Sequence, residues 1–97
     1  MGWKVVVSPQ ALAEMDEAIS WYQEKSAKAA SLLMSELANR FHALERNPFY
    51  TRRYKDIYCI PLKRFPYMLH FQIHMPEQEV RILGCIHKAR NPLKSWK

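Results

Sequence analysis

The chain has 97 residues, 48% of them apolar and 25% charged, with a formal net charge of +6. This is the length and composition of one ordinary globular domain, which excludes a multidomain enzyme or a disordered chain. No apolar run approaches the roughly 18 residues of a membrane span, and the N-terminus lacks the charged-then-apolar layout of a signal peptide, so a cytoplasmic protein without a membrane partner is expected.

The charge is unevenly placed. Residues 1–46 hold five Lys/Arg against six Asp/Glu, whereas residues 47–97 hold ten against three. The basic character belongs to the second half, and it suits a polyanionic or acidic partner on one side of the fold. Cys59 and Cys85 both fall within expected strands; a disulfide between them is one reading, but in a cytoplasmic chain two buried thiols are favoured. No Cys/His spacing suggests a zinc site.

In chain order, Trp3 to Val7 reads as a short strand. Ser8-Pro9 then starts a helix, with serine as N-cap and proline at the first helical position, where its missing N–H costs nothing. This helix runs to about Glu24, with Leu12, Met15, Ile19 and Tyr22 as its apolar stripe and Glu14, Asp16 and Glu17 facing water. Ser26 caps a second helix from about Ala27 to Arg46, whose stripe is Ala30, Leu33, Leu37, Phe41 and Leu44. Asn47-Pro48 ends it, because the residue before proline is pushed out of helical geometry. So short a link makes the two helices an antiparallel hairpin.

From Pro48 to Asp56 the chain reads as a loop or a frayed edge strand. Ile57 to Leu62 is a strand in which Pro61 marks an edge position or a bulge. Lys63-Arg64-Phe65-Pro66 is a turn, and Tyr67 to His74 alternates as a strand with one covered face. Met75 to Glu79 is a hairpin loop leading to the last strand, Val80 to His87. The expected fold is a two-layer α+β domain over residues 1–97, of order β-α-α-β-β-β, with the helical hairpin on one face of a mainly antiparallel twisted sheet. The docking position of the first strand is left open by the pattern.

Strict alternation places Val80, Ile82, Gly84 and Ile86 under the helices. It leaves Arg81, Leu83, Cys85 and His87 on an open face with Met68, His70, Gln72 and His74, beside a rim of Lys63, Arg64, Lys88 and Arg90. Such a face suits an RNA strand or an amphipathic segment with acidic flanks. Metal-free RNA cleavage needs an acid, a base and cations for the phosphorane; His87 fits the first two roles, and Arg64 and Arg90 fit the third. His70 and His74 share a strand face, but no third ligand accompanies them, so no metal is expected. With only Gly2 and Gly84 in the chain, a glycine-rich phosphate loop is excluded, and no cofactor is expected.

Taken together, these segments resemble the RelE/ParE toxin superfamily of bacterial type II toxin–antitoxin systems over nearly the full length. The resemblance rests on Val7-Ser8-Pro9 with Ala11, Asp16-Glu17-Ala18 and Trp21-Tyr22, then on Leu44 and Asn47-Pro48. It continues through Arg64-Phe65-Pro66-Tyr67 and closes on His87-Lys88-Ala89-Arg90-Asn91-Pro92 with Trp96. It implies a toxin, partnered by an antitoxin whose acidic amphipathic segment covers it and whose gene lies beside it.

The superfamily divides into ribosome-dependent mRNA endonucleases of the RelE type and inhibitors of DNA gyrase of the ParE type. Met68 stands where RelE-type nucleases resemble one another in an arginine, and Tyr58 to Leu62 lacks their lysines. The Phe-Pro-Tyr turn and the His-x-x-Arg-x-Pro tail resemble the ParE type. Gyrase inhibition is therefore the leading expectation, with Lys88, Arg90, Lys94 and Trp96 engaging the target. The alternatives are ribosome-dependent mRNA cleavage using His87, Arg64 and Arg90, and an inactive member that only binds antitoxin. Lys63, Tyr67, Met68 and His70 are the further residues expected on the open face or its rim.

Overall fold

The computed structural model describes residues 2–88, with residues 51–54 described through their backbone alone. Strand β1 (Lys4–Val7) leads into helix α1 (Pro9–Lys25), followed by helix α2 (Ala27–Arg46). Four strands come next: β2 (Thr51–Tyr54), β3 (Ile57–Pro61), β4 (Tyr67–His74) and β5 (Glu79–His87). The helical hairpin and the meander match the expected architecture. Within Pro48 to Asp56, expected as a loop or a frayed edge strand, Thr51–Tyr54 forms the edge strand β2, paired antiparallel to β3.

The sheet order among the described residues is β1-β5-β4-β3-β2. β1 lies parallel to β5, with Val5 opposite Val80 and Val7 opposite Ile82, and the other pairings are antiparallel. The parallel contact follows from connectivity: a helical hairpin between β1 and the meander returns the chain across the sheet, as a crossover requires. Pro61 pairs with Met68 on β4, while the β2 register stops at Cys59. Its missing N–H therefore faces no strand, which is how a proline is tolerated there.

Serines set both helix starts. The Ser8 side chain accepts from the Ala11 N–H at 3.0 Å, and Ser26 does the same for Ala29 at 3.2 Å. Ser26 also ends α1, its own N–H donating to the Tyr22 carbonyl at 2.7 Å. One residue thus serves as the whole link of the hairpin.

α2 buries the expected Ala30, Leu33, Leu37 and Leu44. α1 differs: Leu12 is 53% exposed, and the buried residues are Ala11, Met15 and Ala18. Met15 is buried and Ile19 and Tyr22 pack against the core as expected, while Ala11 and Ala18 take the place of Leu12 on the face toward the sheet. The core joins these positions to Ile60, Leu62, Leu69, Phe71, Val80 and Ile82. Burying each large side chain contributes about 1.5–3 kcal/mol.

A β-bulge changes what the last strand presents. His70 pairs with Gly84, but the next residue, Phe71, pairs with Ile82, so Leu83 has no partner on β4. An extra residue shifts the alternation by one. Val80 and Ile82 face the helices as expected, whereas Cys85 joins the helix-side core in place of Gly84 and Ile86. Ile86 and Gly84 pair with Met68 and His70 on the opposite face.

That opposite face is not open at its centre. His70 is 1% exposed, held on the middle strand between Cys59 and Gly84, and Ile57, Cys59 and Ile86 are buried as well. His70 is thus a buried side chain and not a surface one. The Cys59 and Cys85 thiols lie on opposite faces of the sheet, a placement that no disulfide spans.

Candidate functional site

The phase shift in β5 decides where His87 lies. It pairs with Tyr67, and the two rings meet edge-on with centroids 5.3 Å apart. The Lys88 N–H donates to the Pro66 carbonyl at 2.8 Å, which clips the end of β5 to the turn between β3 and β4. The rings of Tyr67 and His87 thereby line a helix-side cleft of about 330 Å³, completed by Glu14, Glu17, Ala18, Trp21 and Cys85.

Glu14 was expected to face water. Instead it is half-buried, and its carboxylate accepts the Cys85 N–H at 2.8 Å. β1 pairs with β5 only from Glu79 to Ile82, so the outer edge of β5 beyond that point needs another partner. The N-cap and first turns of α1 supply two: the Ser8 hydroxyl donates to the Leu83 carbonyl at 3.3 Å, and Glu14 takes the Cys85 N–H. Burial first, and then the Glu14 charge, push the Cys85 thiol up to about 12. A thiol in that state is not a nucleophile near neutral pH. At the mouth of the cleft Trp21 is 53% exposed, with the Lys25 ammonium 5.1 Å from its ring centroid.

A second cleft, of about 260 Å³, lies between α2 and the turn after β3. It is lined by Leu32, Ser35, Glu36, Asn39 and Arg40 on α2, and by Lys63 and Arg64 on the turn. Glu36 organises it. Its carboxylate accepts the backbone N–H groups of both Lys63 and Arg64 and lies 3.7 Å from the Arg40 guanidinium. Arg40 also donates to the Pro61 carbonyl at 3.2 Å, which fixes the guanidinium against the end of β3.

The residues expected from sequence are thus distributed. His87 and Tyr67 share the first cleft, while Arg64 and Lys63 share the second. Met68 is half-buried on the face away from the helices, beside buried His70. Lys88 is exposed at the end of β5, and Arg90, Lys94 and Trp96 lie outside the described residues. The pattern did not reveal Glu14, Glu17 and Trp21 in the first cleft, or Glu36 and Arg40 in the second. The Glu36/Arg40 spacing of four residues on a helix was the available signal, since such pairs share a face. No group of three or more His, Cys, Asp and Glu side chains among the described residues is placed to hold a metal. No helix among them is long and apolar enough to cross a membrane.

Known proteins place this arrangement. In fold the chain is similar to a chain of the chromosomal ParDE toxin–antitoxin system from P. aeruginosa, with a TM-score of 0.74 and 17% identity over 88% of this chain and 95% of that one. It is also similar to the isolated E. coli RelE toxin, with a TM-score of 0.55 and 17% identity over 96% of this chain and 92% of that one. At such identities the likeness is one of fold. No curated protein sequence matches this one. The family model described as the ParE toxin of the type II toxin–antitoxin system parDE matches residues 5–92. With nearly its whole length matched, the chain belongs to the ParE toxin family of type II toxin–antitoxin systems.

Proposed function

We propose that this toxin arrests growth by inhibiting DNA gyrase, and that its cognate antitoxin silences it through an acidic amphipathic segment laid on the toxin's basic half. The chemistry around His87 is the observation that carries the choice of target. Phosphodiester cleavage calls for cations beside the acid and base, to hold the phosphate and the charge that develops on it. The described cleft around His87 supplies two carboxylates, Glu14 and Glu17, while Arg64 lines the other cleft. Carboxylates repel a phosphate. A histidine in that setting serves as an anchor for the end of β5, from which the chain continues into Lys88, Arg90, Lys94 and Trp96, the residues we assign to target contact. The ParE family membership agrees with this reading.

Purified toxin added to gyrase and a relaxed plasmid tests it. Inhibition of supercoiling, with reporter mRNA left intact on translating ribosomes, is the expected result. Cleaved mRNA with unimpaired supercoiling overturns the target, and the absence of both activities favours an inactive member that only binds antitoxin.

A further inference from the structure

We infer that the cleft between α2 and the β3–β4 turn is the dock for acidic side chains of the antitoxin, with Lys63, Arg64 and Arg40 as their counter-charges. The inference rests on the antitoxin partnership proposed above and names the place where it is made.

Three cations and one carboxylate line this cleft. The carboxylate is already committed, since Glu36 holds the backbone N–H groups of the turn and faces Arg40. Lys63 and Arg64 are exposed, and among the described residues their side-chain charges have no carboxylate partner. Arg40 is fixed from two sides, by Glu36 and by the Pro61 carbonyl. The turn is thus held by its backbone with its charged ends outward. Such pre-organisation lowers the ordering cost of binding an anion.

The neighbouring α2 surface identifies the kind of anion. Leu32, Ser35, Glu36, Asn39 and Arg40 form one stripe of the helix, about 12 Å long at 1.5 Å per residue. The exposed Leu32 stands at one end of the stripe and Arg40 at the other, with the Lys63–Arg64 turn clamped to Glu36 between them. A segment carrying an apolar side chain and, one or two helical turns along, carboxylates would match both ends. A nucleic-acid strand carries charge at every phosphate, and it would meet the exposed Leu32 on the same track. The stripe therefore favours an acidic peptide over RNA.

The test uses the full toxin and the fluorescein-labelled antitoxin encoded beside it, with affinity read by anisotropy. The double variant Lys63→Glu/Arg64→Glu is expected to weaken binding by about tenfold to a hundredfold, as reversal of close charge pairs does, with a shallower salt dependence. Lys28→Glu, at the far end of α2, is expected to stay near wild type. Should the charge reversal fail to fold by circular dichroism, Lys63→Gln/Arg64→Gln is expected to weaken binding by about threefold to tenfold. Unaltered affinity in the folded double variant overturns the dock while leaving the antitoxin partnership intact. So does a variant that loses only the binding of a 20-nucleotide single-stranded RNA probe. If wild-type toxin does not bind the antitoxin, the proposed partnership itself falls, and this dock falls with it.

Discussion

Removing the Glu14 carboxylate tests how α1 holds the end of β5. In Glu14→Ala the Cys85 N–H loses its acceptor at 2.8 Å, on a strand edge that β1 does not reach. Leaving a buried donor unpaired costs about 1–3 kcal/mol. The adjoining cleft admits water, which favours the lower half of that range, about 1–2 kcal/mol. For a domain of this size each kcal/mol moves Tm by about 4–8 °C, so thermal unfolding followed by circular dichroism should show a fall of about 4–16 °C. Glu14→Gln keeps a carbonyl acceptor in the same place and should cost less than about 1 kcal/mol. A methyl at Gly84 would stand 3.0 Å from the same Glu14 oxygen, so Gly84→Ala should displace the carboxylate. Combined with Glu14→Ala, its cost should then be less than additive. Equal losses in the Ala and Gln variants, or strict additivity with Gly84→Ala, would refute the hydrogen bond as the cause.

Other outcomes follow from the same geometry. His87→Ala is expected to retain growth arrest in induced cells lacking antitoxin; loss of arrest with the fold intact would restore a catalytic histidine. Phe71→Ala, at a fully buried position stacked 5.9 Å from Tyr58, should cost about 3–5 kcal/mol in urea denaturation. The Cys85 thiol, raised to about 12, holds its proton in the fold at pH values where the unfolded chain releases it. Stability should therefore be full below about pH 8.5 and fall by up to about 1.4 kcal/mol per pH unit above that, toward pH 12. Cys85→Ala should show a smaller decline than wild type in alkaline denaturation. Neither buried cysteine should react with a thiol reagent in the native protein at pH 8.

The parts legible in the sequence are those fixed by local chemistry. Ser8-Pro9, Ser26 and Asn47-Pro48 mark helix boundaries because capping and proline geometry act within a few residues. The α2 stripe was legible because three of its four buried positions are leucines. In the α1 stripe only Leu12 misled, because the buried positions beside it are Ala11 and Ala18, which carry little hydropathy signal. The bulge at Leu83 was hidden for a different reason. Val80 to His87 alternates acceptably in either phase, and only the pairing of β4 with β5 decides where an extra residue is accommodated. The error carried forward, placing Cys85 and His87 on the wrong face of the sheet and His70 on an open one. The Glu14 and Glu36 clamps join residues 71 and 27 or 28 positions apart, a separation at which residue spacing holds no information.

Gyrase as the target is tested by the topology of a reporter plasmid recovered from cells after induction of the toxin without its antitoxin, resolved on a chloroquine gel. Gyrase inhibition predicts a shift toward relaxed topoisomers as growth stops. Growth arrest with native supercoiling would contradict it.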